Sequence, residues 1–343
     1  MRKILIFRFS AMGDVVMLLP VVKGILEENQ DVEIYLLTQK IFFPFFQSIE
    51  RLVLLEADLK NRHRKIKGLF SLYKEIARTV KPDLVIDLHC VIRTTILDFF
   101  FFLNGFKVFR FDKGTLEKAK LIRTKNVVPL KSGIERYLDI FNKAGIRGRL
   151  STGVLFNSSP QNLGDIRIST RDLVIGIAPF AKHKQKVWGI DKVGKLIRRI
   201  NQRYSCNILL FGGGSNEITA LRNLAAEFDN CVVSSDYFSL SQEIEVVQSL
   251  SVMLSMDSAN MHIAAMAGVQ TVSVWGATHP VLGFAPYNQP SENIVQYSGN
   301  EISCRPCSVY GAKPCRYGET IRCMDLVSVD MVFDRITSIF VRK

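Results

Sequence analysis

Asp14 is the first residue whose type and setting suit it to chemistry. It follows the apolar run KILIFRF and the turn-former Gly13, and the apolar pattern resumes behind it in VVMLLPVV. A carboxylate there can serve as a general base towards a hydroxyl within hydrogen-bond reach. It can equally cap the free N–H groups of the following helix and interact with its dipole. A second group is APFAKHKQKVWG, where Lys182, His183, Lys184 and Lys186 form either a loop that neutralises a phosphorylated leaving group or a solvated basic loop. A third is MDSANMHIAAMAG. Asp257 or Ser258 can cap a helix that begins near Ala259, and the unpaired N–H groups of its first turn favour an anion such as a pyrophosphate. His262 lies about one turn in, either helping to hold phosphate or satisfied as a core histidine. FGGGSNE, with Gly213 the middle of its three glycines, permits close approach of a ligand or makes a simple turn. It has neither the order of a dinucleotide fingerprint nor the ending of a Walker A loop. Cys304, Cys307, Cys315 and Cys323 form C-x2-C-x7-C-x7-C, open to two readings: a tetrahedral structural zinc site, or free thiols with a redox-sensitive pair.

The elements that must hold these residues read as short apolar runs alternating with longer helical ones. KILIFRF, VEIYLLT and KPDLVIDLH are strand candidates in the first half, and DLVIGIAPF, NILLF, NCVV, SVMLSM and TVSVWG in the second. That order predicts α/β architecture with parallel sheets. Open parallel sheets bind ligands beyond the carboxyl ends of their strands. Asp14, Lys182 to Lys186, the triple glycine, Asp257 and Thr278-His279 all fall directly after strand-like runs. Pro20 is expected to kink or tighten the first helix. The polar stretch NSSPQNLG reads as a linker, giving domains at 1–160 and 172–325, with an amphipathic terminal helix over 326–343.

The 343 residues suffice for about two domains, and 48% hydrophobic with 22% charged residues suits a globular core. The formal net charge is +13. Residues 1–160 hold 27 basic and 16 acidic side chains, a net of +11, which points to an anionic partner for that half. No helix-turn-helix and no basic–aromatic interleaving supports a nucleic-acid partner. The same half carries 16 of the 23 phenylalanines, including IFFPFF and DFFFFLNGF, which either fill the core or touch a membrane surface. The longest apolar patch is too short to span a bilayer, the start does not read as a secretory signal, and seven cysteines in a chain this long fit a reducing cytoplasm.

Four segments in order, FSAMGDVVMLLPVV, KVWG, MDSANMHIAAMAGVQTVSVWGATHP and CRPCSVYGAKPCRYGETIRCM, make the sequence resemble the ADP-heptose:lipopolysaccharide heptosyltransferases, glycosyltransferase family 9. The resemblance implies a GT-B fold, two Rossmann-like domains facing across a cleft, with the terminal helix packing back on the N-terminal domain. It implies an inverting transfer with no bound divalent metal and no required cofactor. The acceptor is handled by the N-terminal domain and the nucleotide sugar by the C-terminal one. Asp14 matches the base and Lys186 a contact to the donor phosphates. Asp257, Ser258, Ala259, Met261 and His262 match the donor-phosphate helix start, and Gly13, Lys182 and Gly213 complete the expected donor contacts. The implied partners are ADP-heptose or another nucleotide sugar, a phosphorylated glycolipid acceptor and an anionic inner-membrane surface, for a cytoplasmic or peripheral enzyme. Two departures stand out: Ala259 where the family commonly has glycine, and Ser215 where many members have proline. Alanine keeps the backbone N–H, so phosphate binding survives. The alternatives are a related enzyme with another donor or acceptor, and a non-catalytic glycan- or nucleic-acid-binding protein.

Overall fold

The computed structural model describes residues 1–47, 49–156 and 173–341. The chain divides into two compact units, one of Met1–Gly114 with Lys131–Asn157, the other of Thr115–Leu130 with Ser158–Lys343. The NSSPQNLG segment read as a linker lies outside the described residues.

In the first unit the strands are β1 (Arg2–Phe7), β2 (Val32–Thr38), β3 (Leu52–Glu56), β4 (Leu84–Asp87) and β5 (Lys107–Arg110). They pair in parallel in the order β3-β2-β1-β4-β5. The chain starts in the middle strand, builds outward to β3, and then crosses to the other side of β1. The switch point of this sheet therefore lies between the carboxyl ends of β1 and β4, where open α/β sheets place their ligands. The helices are α1 (Met12–Val16) and α2 (Leu19–Glu28), then α3 (Ile66–Thr79) and α4 (Ile92–Leu103). Pro20 does not kink a long helix. It sits in the first turn of α2, where its missing N–H has no intrahelical partner to lose.

The second unit opens with α5 (Thr115–Thr124); α6 (Gly133–Lys143) returns to the first unit. The second sheet consists of β6 (Leu173–Ala178), β7 (Cys206–Leu210), β8 (Cys231–Val233), β9 (Val252–Met256), β10 (Thr271–Trp275) and β11 (Ile294–Gln296). Its order is β11-β10-β9-β6-β7-β8, again parallel, with the switch point between β6 and β9. Every residue of β7, β9 and β10 is buried, because α7 (Ile190–Asn201), α8 (Ser215–Ala225), α9 (Leu240–Val247) and α10 (Ala259–Met266) cover the sheet. The short α11 (Arg322–Asp325) and the terminal α12 (Val329–Phe340) complete it.

Two expectations of domain organisation differ from this arrangement. Residues 115–130 join the second unit: Lys118 Nζ lies 4.5 Å from the Phe284 ring centre, and the Leu130 N–H donates to Val281 O at 2.8 Å. The terminal helix, expected back on the first domain, is part of the second unit and packs into that unit's own core. Its apolar stripe, Val332, Phe333, Ile336 and Ile339, is buried in one cluster with Val193, Ile197 and Ile200 of α7, and Arg199 sits over the Phe333 ring at 4.4 Å. The amphipathic pattern told that the helix must bury a face; it did not say against what.

Candidate functional site

In the first unit, β1 ends at Phe7 and the chain turns through Arg8 to Ala11 into α1. Asp14 occupies the third position of α1, yet it does not cap: the N-cap is Ala11, and no side chain caps this helix. Its carboxylate instead forms an ion pair with Arg8 through Oδ2. The Arg8 guanidinium is buried, donates to Leu88 O just beyond β4, and lies 5.7 Å from the Tyr137 ring centre. One side chain thus spans the switch point and aims the carboxylate, while Asp14 itself stays partly exposed. Beyond β4, His89 Nε2 lies 3.3 Å from Ser10 Oγ. Burial, and next the Arg8 charge, pushes the His89 imidazole down to about 4, so it is neutral at physiological pH.

The turn that carries His89 is built by Asp87, fully buried at the end of β4. Its Oδ1 accepts from the backbone N–H groups of His89 at 2.8 Å and Cys90 at 2.9 Å. Beneath it, Asp98 of α4 is buried against Asp87. Burial and the neighbouring Asp87 charge push the Asp98 carboxyl up, with Arg110 opposing. A proton on Asp98 gives Asp87 Oδ2 the donor it otherwise lacks. The folded state therefore binds more protons than the unfolded chain above the ordinary carboxylate pKa of about 4, so stability falls as pH rises towards the raised folded value. Asp98→Asn, whose amide can donate in place of the carboxyl, is expected to remove that fall. Urea titrations across pH should show a wild-type slope of up to about 1.4 kcal/mol per pH unit inside the window, and a flatter line for the variant.

In the second unit the corresponding switch point brings three sequence segments together. Lys186, in the loop after β6, reaches Asp257, the first residue after β9, with Nζ 3.0 Å from Oδ2. The buried Thr278, after β10, donates its hydroxyl to the same oxygen at 2.7 Å. Gly311, at φ +79°, packs on the Lys186 stem, and a Cβ there would lie 2.8 Å from Lys186 Cγ and Cδ. His183 stands in the same field: its imidazole is pushed down by burial first, then by Lys186 and Lys182, with Asp257 opposing.

Ser258 is the N-cap residue of α10, but its side chain caps no helix N–H; its hydroxyl lies 3.1 Å from Ser255 Oγ. No side chain caps the first-turn N–H groups, from Ala259 to Met261, which suits them to an acceptor from outside the helix. The side chains of Met261 and His262 are buried. Asp257 Oδ2 takes both the Lys186 ammonium and the Thr278 hydroxyl, so this carboxylate fixes the Lys186 side chain. Gly213 already donates its N–H to Glu217 at 3.0 Å, and Lys182 is exposed.

The sequence missed Arg8, His89, Asp87, Asp98 and Arg305. The first three lie inside the runs read as strands, KILIFRF and KPDLVIDLH, so the rule that singled out Asp14, a polar residue just after such a run, passed over them. Arg305 is half-buried and donates to Thr278 O at 3.1 Å, Tyr297 O at 2.9 Å and Gln296 Oε1 at 2.8 Å, and also to Gly276 O. It braces the loop that carries Thr278. Of the cysteines, Cys304, Cys307, Cys315 and Cys323 are free thiols. Among the described residues no group of three or more His, Cys, Asp or Glu side chains is placed to hold a metal ion.

A family model described as glycosyltransferase family 9 (heptosyltransferase) matches residues 77–316. No curated protein sequence matches the chain. Among solved structures, the chain is similar to a glycosyl transferase family 9 protein from Veillonella parvula DSM 2008, at 15% identity and TM-score 0.77, covering 100% of this chain and 98% of that one. It is similar to the E. coli ADP-heptose lps heptosyltransferase II at 15% identity and TM-score 0.69, covering 99% of each chain. It is also similar to the E. coli heptosyltransferase WaaC with ADP, at 17% identity and TM-score 0.68, covering 98% and 99%. At these identities the likeness is one of fold: two parallel sheets in separate Rossmann-like halves.

Proposed function

The chain belongs to glycosyltransferase family 9, and from that premise we propose that it moves heptose from ADP-heptose to a lipopolysaccharide-core acceptor, with inversion and without a bound divalent metal. The observation that carries this is the Lys186–Asp257–Thr278 group beside an uncapped helix start, at the switch point of the second sheet. A cation fixed by a buried carboxylate, next to free N–H donors, suits the diphosphate that departs from a nucleotide sugar.

In this mechanism Asp14 takes the proton of an acceptor hydroxyl. The hydroxyl oxygen forms a bond to the anomeric carbon, on the face opposite the nucleotide, as the bond from that carbon to the ADP oxygen breaks. ADP leaves with the electron pair. Lys186 and the N–H groups of Ala259 to Met261 meet the growing negative charge with donors already in place, the kind of preorganised electrostatics that carries large rate effects. Arg8 orients Asp14 and does not itself touch the reacting atoms. The acceptor is a phosphorylated glycolipid on the cytoplasmic side of the inner membrane, in keeping with the net +11 of residues 1–160. Among the described residues no helix is long and apolar enough to cross a membrane.

Calorimetric titration with ADP-heptose, UDP-glucose and GDP-mannose, with and without EDTA, tests the donor. Binding of ADP-heptose alone, unchanged by EDTA, is the expected result. Preference for another nucleotide sugar would keep the mechanism and replace the substrate; binding of none would remove the proposal.

A further inference from the structure

Helix α4 presents its apolar residues on the wrong side for a purely structural helix. One face, with Leu97, Asp98 and Phe101, is buried on the sheet. The opposite face carries Ile92, Phe99 and Leu103 at i, i+7 and i+11, with Phe102 beside them, while Ile96 on that side is half-buried against the core. Ile92 is 82% exposed, Phe99 56%, Phe102 69% and Leu103 62%. The DFFFFLNGF run is thus sorted residue by residue by the helical period: Phe101 fills the core, Phe100 is half-buried, and Phe99 and Phe102 face outward. Asp98, the one acidic residue of α4, is tucked underneath. By contrast, IFFPFF is mainly a core segment, with Phe42, Phe45 and Phe46 buried.

The neighbouring helix extends the face and charges it. Phe70 of α3 meets Phe100 edge-on at 5.1 Å, and Lys74 Nζ sits 4.5 Å from the Phe70 ring centre. Residues 60–79 contain seven Lys and Arg, all exposed, against a single acidic residue, Glu75. Contiguous exposed apolar side chains on a soluble fold mark an interaction surface. Two copies of this face would bring their lysines and arginines together, so the charge disfavours self-association and matches an anionic partner. A helix with an outward apolar stripe beside basic side chains is the composition that lies in a lipid headgroup region.

We propose that the outer faces of α3 and α4 are a docking surface for an anionic phospholipid bilayer, with Phe99, Phe102 and Leu103 entering the headgroup–acyl boundary and Lys67 and Lys74 meeting lipid phosphates. Because α4 starts directly after the His89–Val91 turn, the surface begins next to the first unit's switch point and can present a lipid-borne acceptor there. The choice of partner draws on the glycolipid acceptor proposed above, but the test contains no sugar nucleotide and no acceptor, so the two can fail separately.

The experiment is co-sedimentation of the full chain with vesicles of phosphatidylethanolamine and phosphatidylglycerol, against pure phosphatidylcholine. Wild type is expected to sediment with the anionic vesicles and to be released by salt. Phe99→Ser/Phe102→Ser should weaken binding by roughly tenfold or more, given the apolar area withdrawn from lipid. Lys67→Glu/Lys74→Glu should weaken it by a similar factor. Tyr237→Ser, an exposed aromatic of the second unit, should change nothing. Thermal melts of both double variants should match wild type, since the side chains are exposed. Undiminished vesicle binding by Phe99→Ser/Phe102→Ser would overturn the proposal, as would equal sedimentation with neutral vesicles or none with anionic ones. A wild-type dimer that the Phe variant splits, without any change in vesicle binding, would assign the face to a second copy and overturn it too.

Discussion

Asp14→Asn is expected to lower turnover by roughly 10²–10⁴-fold, the range a positioned general base contributes, while ADP-heptose binds with unchanged affinity. Asparagine keeps the size and the backbone position but cannot accept a proton at neutral pH. The separation between binding and turnover follows from where the residues sit: Asp14 belongs to the first unit, and the proposed phosphate-binding residues to the second. Some stability should also be lost, because Arg8 is buried and gives up its anion. It keeps Leu88 O and the Tyr137 ring, so the folded state should survive. Asp14→Glu gives the complementary measurement. A longer carboxylate held by the same Arg8 should retain part of the activity if the role is proton transfer. Equal loss in Asn and Glu variants, with weaker donor binding in both, would make Asp14 a structural partner of Arg8 instead.

The second large effect is expected at Lys186. Lys186→Met preserves most of the stem that packs against Gly311 and removes the charge. Turnover should fall by roughly 10²–10³-fold, as for removal of a preorganised donor to a developing anion, and ADP should bind more weakly as well. The substitution has a second consequence, because it strands Asp257. That carboxylate is buried and would keep Thr278 as its remaining donor, and breaking one side of a buried ion pair costs about 3–5 kcal/mol. Asp257→Asn should be destabilising for the mirror-image reason. The double variant Lys186→Met/Asp257→Asn removes both charges and should recover much of the stability while leaving turnover low. Stability and turnover recovering together would mean that Lys186 acts only by holding the fold.

A good deal of this molecule was legible before any coordinates. Parallel strands covered on both faces must be apolar throughout, so β7, β9 and β10 stand out as runs such as NILLF and SVMLSM. The turns behind them stand out as the first polar residues. Local chemistry of that kind yields the α/β class, two α/β halves and the positions of Asp14, Lys186 and Asp257; that the halves are Rossmann-like came from the family resemblance. The run DFFFFLNGF, by contrast, could not be divided into core and surface from composition. Only the sheet beneath α4 decides that Phe101 is buried and that Phe99 and Phe102 are not.

The pairings that give the site its chemistry were not legible, for a physical reason: each joins residues that are neighbours only because strands lie side by side. Arg8 reaches Leu88 because β1 pairs with β4, and Lys186 reaches Asp257 because β6 pairs with β9. The sequence by itself determined which polar residues end strands. The tertiary structure decided that Asp14 is held by Arg8 rather than capping α1, that Asp257 pairs with Lys186, and that α12 closes the second unit's core. Strand order and helix docking are set by burial summed over the whole chain, and no local stretch of residues carries that sum.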